Sequence, residues 1–341
     1  MRAAIITPTR LFIRTLAIPV LAVVLAVLVC FLPNDTYQRY QQLDGTSYQT
    51  VHWAYERFHY DPTPIDVLIL GSSRTLLGLR TSLIEQRLAE AGKPAHVVNT
   101  SFVGEGRNSE WVLYKEMLKA HRHPKVIVMM IAGSPRPWGH ESFKYIAPAS
   151  DLLTAAKHGL YASARDLMYL PYRQMRMFAA LLAPDAFGMP RTFDPVRYAG
   201  WRTDFTTSFL VPEGGRKEME TPRTRESLEQ DVRNHREGYI RHSVVPAPLR
   251  KITDADEAIY ADLILREAAR QGSKVLFVYV PGYAEQPEII GREYYERFGP
   301  IQDNSDLIRH APLFADWTHL NSHGAVIASD RLATAVAPLL P

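Results

Sequence analysis

Asp66-Val67-Leu68-Ile69-Leu70-Gly71-Ser72-Ser73-Arg74 is the stretch whose reading decides the fold. Val67 to Leu70 is an all-aliphatic run closed by Gly-Ser, the pattern of a strand buried on both faces, as in a parallel sheet. Open α/β sheets collect ligands outside the carboxyl ends of their strands. Two hydroxyls and a guanidinium presented directly after such a strand therefore stand where chemistry is done. A serine there becomes a nucleophile once a histidine base reaches it from elsewhere in the fold. Asp316-Trp317-Thr318-His319-Leu320-Asn321, near the C-terminus, supplies such a base, with an aspartate three residues before it to hold the imidazole. Taken singly, Ser72-Ser73 is a plain strand end, and Asp316 and His319 are a cap for the last helix. Taken together they predict a Ser–His–Asp site of Ser73, His319 and Asp316.

Working outward, the α/β pattern repeats. A helix is expected after Ser73, opened by the capping box Ser82-Leu83-Ile84-Glu85 and closed by Gly92. His96 to Asn99 reads as a second strand, followed by a loop containing Gly104 and Gly106. Asn108 is the expected N-cap of a helix ended by Pro124, and Lys125 to Ala132 (KVIVMMIA) is a third strand. The alternation resumes at Thr253 with a helix ending at Gly272, the strand KVLFVYVPG and a last helix from about Ser322. Strand–helix–strand–helix–strand predicts an α/β fold with a parallel sheet. Between about 150 and 250 the pattern breaks into a helical part and a Pro/Gly/Arg-rich part. This is an insertion that shapes or covers the site, long irregular segments in compact domains being commonly functional. A solvated linker is the plainer alternative.

The N-terminus carries a second signal. Thr15 to Leu32 is an uncharged apolar run about long enough for a roughly 30 Å hydrocarbon layer. Arg2, Arg10 and Arg14 precede it, which predicts a cytoplasmic N-terminus and a chain carried across the membrane. A cleaved signal peptide shares the charged start and apolar core, but no small-x-small cleavage site follows. The expected organisation is a cytoplasmic stub and signal-anchor over 1–33, a juxtamembrane linker over 34–63 and the α/β domain over 64–341. That places the domain on the extracytoplasmic, periplasmic side of the inner membrane, held by one transmembrane helix. The 341 residues include a single cysteine, Cys30, so no internal disulfide and no cysteine zinc site can form. A net charge of +3, with Lys and Arg scattered, gives no basic block for nucleic acid.

Gly71-Ser72-Ser73 and the Asp316-to-His319 block resemble the SGNH, or GDSL-like, hydrolases. In that family the serine of a Gly-Asp-Ser-like block is the nucleophile and a late DxxH block supplies acid and base. The resemblance implies a three-layer fold and the catalytic roles of Ser73, His319 and Asp316. Asn99 to Gly104 looks like the second block, which implies the backbone N–H groups of Ser73 and Gly104 as oxyanion donors. The third block departs from the pattern. Gly133-Ser134-Pro135-Arg136 has proline where the family has asparagine, so Arg74, Ser134 or Arg136 is left to contact substrate. Trp138 is a candidate for stacking on a sugar ring. With a membrane anchor, Gly-Ser-Ser and Asp-x-x-His-Leu-Asn resemble the tethered SGNH-like proteins that acylate or deacylate cell-envelope and exported polysaccharides. The implied partners are the membrane, an acyl donor, a polysaccharide acceptor and a membrane acyltransferase. No metal or organic cofactor is implied. An inactive scaffold of a polysaccharide modification or export complex is one alternative, and a lipid-acting esterase with an apolar pocket beside Ser73 is another. His121, His123 and His140 are poor metal candidates, and Asp303 with Asp306 reads as loop solvation rather than a glycosidase pair.

Overall fold

The structure is a computed structural model describing residues 8–131, 139–155, 160–210, 215–242, 255–285, 288–289 and 291–341. Strands β1 (Val67–Leu70), β2 (Val97–Asn99) and β3 (Val126–Met130) come first in the chain. The hairpin β4 (Ser208–Leu210) and β5 (Arg216–Glu218) follows in the insertion, then β6 (Lys274–Tyr279) and β7 (Ile301–Asp303). Five of these strands form one sheet in the order β2-β1-β3-β6-β7, and every pairing in it is parallel. Chain direction across the sheet reverses between β1 and β3, the switch point at which doubly wound sheets hold ligands.

Because side chains alternate along a strand, each core strand feeds two cores. Val67, Ile69, Val126, Val128, Leu276 and Val278 face one side and meet Ile84 and Leu88 of helix Thr81–Glu90 and Leu332 and Val336 of helix Ser322–Val336. Leu68, Leu70, Ile127, Met129 and Phe277 face the other and meet the helices Arg107–Lys119 and Ala255–Gln271. The result is a three-layer α/β architecture with a central parallel sheet.

Several expectations change. The capping box at Ser82 is not used: its helix starts at Thr81, the Arg80 N–H donates to Ser329 Oγ at 2.8 Å, and Glu85 accepts from Val97 N at 2.7 Å. Gly106, not Asn108, is the N-cap of the Arg107 helix, and the Asn108 side chain accepts from His140 N at 2.9 Å. Residues 34–63 are not a linker. Helices Thr36–Gln41 and Gln49–His59 bury Tyr37, Tyr40, Val51, Ala54, Tyr55 and Phe58 in the second core. Some of their polar groups pair with one another, as when Tyr37 Oη donates to Glu56 at 2.8 Å. β7 carries no apolar run and is an addition to the expected strands.

The N-terminal apolar run lies in helix Pro8–Val29, with Pro19 inside it, so the last three residues of the expected span fall outside the helix. Its described side chains begin at Thr15 and stand outward, Ile18 being 72% and Val23 63% exposed. Among the described residues no helix is long and apolar enough to cross a membrane. The insertion is docked, not solvated. Its helix Leu160–Leu182 reaches the end of the N-terminal helix, where Gln174 Nε2 donates to Cys30 O at 3.1 Å, and Arg173 donates to Ala147 O at 2.7 Å.

Candidate active site

β1 ends in a turn at Gly71 that leaves no room for a side chain. A Cβ on Gly71 would lie 2.3 Å from Thr75 Oγ1 and 2.8 Å from Met130 Cβ. Gly71→Ala is therefore expected to lose about 1–3 kcal/mol of stability through overpacking; an unchanged urea midpoint and slope would contradict this. Ser72 caps the next helix, Ser73–Gly78, by accepting from Arg74 N at 3.3 Å, and its hydroxyl donates to Met130 Sδ. Ser73 is thus the first helical residue and is partly exposed, whereas Ser72 is buried.

The structure brings together the three residues expected to act together. His319 Nε2 lies 2.8 Å from Ser73 Oγ, and His319 Nδ1 lies 2.8 and 3.0 Å from the two oxygens of Asp316. With Asp316 ionised, Nδ1 carries the proton and Nε2 is left to accept from the serine hydroxyl, the arrangement a nucleophile and base require. Asp316 is held as fully as its two oxygens allow. Oδ1 accepts from the N–H groups of Thr318 at 2.6 Å and His319 at 2.8 Å, and Oδ2 receives the ammonium of Lys217. Burial pushes the carboxyl up, but the charge and hydrogen bond of His319, then those of Lys217, hold it far below the usual carboxylate range.

Lys217 belongs to β5 of the insertion hairpin and carries no sequence signal, being one lysine in an irregular run. The hairpin is fixed by its own packing: Phe205, Phe209 and Met219 join Leu76 and Leu77 of the Ser73 helix and Ala315 beside the aspartate. Ser322 N donates to Met219 O at 2.9 Å. Removing the ammonium with Lys217→Met leaves His319 bound to an aspartate that has lost one of its restraints. The rate of Ser73 acylation by an activated ester is expected to fall by up to about tenfold, about 1.4 kcal/mol. An unchanged rate would make the contact incidental.

Asn99 to Gly104 runs beside the Gly71–Ser73 turn. Thr100 N donates to Ile69 O at 3.0 Å and Phe102 N to Gly71 O at 3.3 Å. Asn99 Nδ2 donates to Thr75 O at 2.9 Å. Gly104 has φ +91°, and His140, whose Nε2 sits 2.6 Å from Val103 O, closes over the position a Cβ would occupy. The N–H groups of Ser73 and Gly104 are hydrogen-bonded to no described residue. His140 is thereby a brace for this loop, and among the described residues no cluster could hold a metal ion.

Arg74 goes elsewhere. It is 8% exposed and forms a two-pronged ion pair with Glu285, which also accepts from Gly282 N at 3.0 Å and Tyr279 Oη at 3.1 Å. Ser134, Arg136 and Trp138 lie outside the described residues. Asp303 and Asp306 are tied to Arg292 and Arg331 respectively, so neither is free to pair as a glycosidase carboxylate. Burial pushes Glu285 up, but the Arg74 charge outweighs it and holds the carboxyl low. For Asp316 and Glu285 alike the folded state lowers the pKa. The stability they contribute is therefore complete above the ordinary carboxylate values of about 4 and is lost as pH falls below them. Urea midpoints should drop between pH 6 and pH 3, and less so in an Asp316→Asn variant; equal drops would contradict the assignment.

No protein-family profile matches the chain, and no curated protein matches it.

Proposed function

We propose that the protein is an SGNH-type serine acyltransferase or esterase acting on a cell-envelope or exported polysaccharide, on the extracytoplasmic side of the inner membrane. The observation that carries the reading is the Ser73–His319–Asp316 relay at the carboxyl end of β1, assembled from opposite ends of the chain. Ser73 Oγ attacks an acyl carbonyl while His319 Nε2 takes its proton, and the protonated imidazole faces Asp316. Oxygen charge falls to the N–H groups of Ser73 and Gly104. His319 then gives the proton to the leaving group; a sugar hydroxyl or water, deprotonated by His319, attacks the acyl carbon, and Ser73 Oγ leaves as His319 returns that proton to it. A relay in working alignment disfavours an inactive scaffold. Anchorage rests on the outward apolar side chains of the first helix, and the polysaccharide on the sequence resemblance.

The test is covalent labelling of the full chain with a fluorophosphonate, the adduct located by mass spectrometry. Modification at Ser73 that is lost in His319→Ala supports the reading. A folded chain left unlabelled, under conditions that label a known serine esterase, returns the assignment to the scaffold.

A further inference from the structure

Two cavities, of about 380 and 500 Å³, lie where the insertion meets the N-terminal helices and the β2 edge. Both fall within the roughly 300–1,000 Å³ typical of ligand sites. Ser73, His319 and Asp316 line neither of them. Trp201 lines both. On one side of it stand Trp53 and Tyr198, and on the other Phe205 and Phe209. We propose that the pair is a single glycan-binding groove, holding a saccharide chain across Trp201.

The chemistry of the walls selects this ligand. Sugar rings present C–H faces that pack on aromatic rings, and hydroxyls that both donate and accept. The first cavity supplies Asp61 and Glu85 as acceptors and Arg57 as a donor. These groups are fixed before any ligand arrives. Asp61 receives the Tyr198 hydroxyl at 2.7 Å, and Arg57 donates to the carbonyls of Thr63 and Pro64 at 2.9 and 2.8 Å. In the first cavity the two carboxylates oppose a polyphosphate backbone, whose binding depends on cations, and in the second Arg197 and Arg216 are already paired with Asp44 and Glu218 at 3.0 and 2.8 Å. A peptide strand added to the β2 edge is opposed as well, because the Val97 N–H is already taken by Glu85 at 2.7 Å. In the second cavity Arg202 donates to Asp204 O, Ser208 Oγ and Thr207 Oγ1, and no described carboxylate forms an ion pair with it. That uncompensated guanidinium suits a carboxylate borne on a sugar.

The groove also touches the relay's supports. Asn99 lines the first cavity and holds Thr75 in the helix that Ser73 begins. Phe209 of the second cavity shares the β4–β5 hairpin with Lys217, the partner of Asp316. The groove's role as a holder of the acceptor rests on the acyl-transfer reading above, whereas glycan binding itself does not.

The test uses the full chain carrying Ser73→Ala, so that no turnover intrudes, titrated calorimetrically with cellohexaose and with hexagalacturonate. Binding of one or both is expected, weakened about tenfold or more by Trp201→Ala. Arg202→Gln is expected to weaken the uronate alone or the uronate most. No binding of either sugar at millimolar concentration overturns the proposal. So does wild-type affinity in both variants. If Trp201→Ala fails to fold by circular dichroism, the exposed Arg202→Gln decides alone, and unaltered uronate affinity there counts against the groove. A Ser73 that resists fluorophosphonate would sink the acyl-transfer reading and leave this result standing.

Discussion

Replacing Ser73 with alanine is expected to abolish fluorophosphonate labelling and to cut hydrolysis of an activated acyl ester by about 10⁴-fold or more. The change removes one oxygen from a partly exposed helix start. Ser72, not Ser73, caps that helix, and Gly71 makes the turn, so neither structural device is touched. The melting temperature should stay close to that of the unaltered protein. Loss of turnover together with an unchanged melt identifies a nucleophile. Retained turnover would mean that the 2.8 Å contact with His319 is only a hydrogen bond. Adding His319→Ala to Ser73→Ala should cost little more, since residues acting as one unit are not additive.

Asp316→Asn carries the second large effect, a fall on the order of 10³- to 10⁴-fold in acylation of Ser73. The amide is nearly the same size, but it changes which atoms can donate. Asp316 as a carboxylate accepts from Thr318 N, His319 N, His319 Nδ1 and Lys217. An asparagine oxygen can keep the two backbone donors, which turns its NH₂ toward Nδ1 and the ammonium. Nδ1 would then accept and Nε2 would carry the proton, so the imidazole could no longer take one from Ser73. Lys217 would be left facing a donor. Rates measured from pH 6 to 9 should show the deficit throughout. A rate within a few-fold of wild type would show that His319 is oriented by something other than Asp316.

The parts of the fold legible in the sequence were those whose chemistry is local. VLIL and VIVMM could be little other than buried strands, and each closes on residues that end one. Ser73, His319 and Asp316 were legible because each sits at an element boundary with a neighbour that explains it. The unread parts are all long-range. Arg74 looked free for substrate because its partner, Glu285, is 211 positions away. Lys217 reaches Asp316 from a hairpin without periodicity. Residues 34–63 looked like a linker because their polar groups find one another only once folded: Gln41 lies 2.6 Å from His52, and His52 lies 3.1 Å from Glu56. β7 pairs by position in the sheet, not by composition.

The relay has a consequence for when the protein becomes competent. Its serine and histidine are 246 residues apart, and the histidine precedes the helix Ser322–Val336, which packs on the helix Thr81–Glu90 that follows Ser73. Closing so long a loop is among the slow events of folding, because the entropy is spent before the contact forms. A growing chain therefore carries Ser73 before His319 can stand beside it. The contact forms only once the segment carrying His319 and the helix Ser322–Val336 docks, so on the acyl-transfer reading proposed above Ser73 has no base until that late segment is in place.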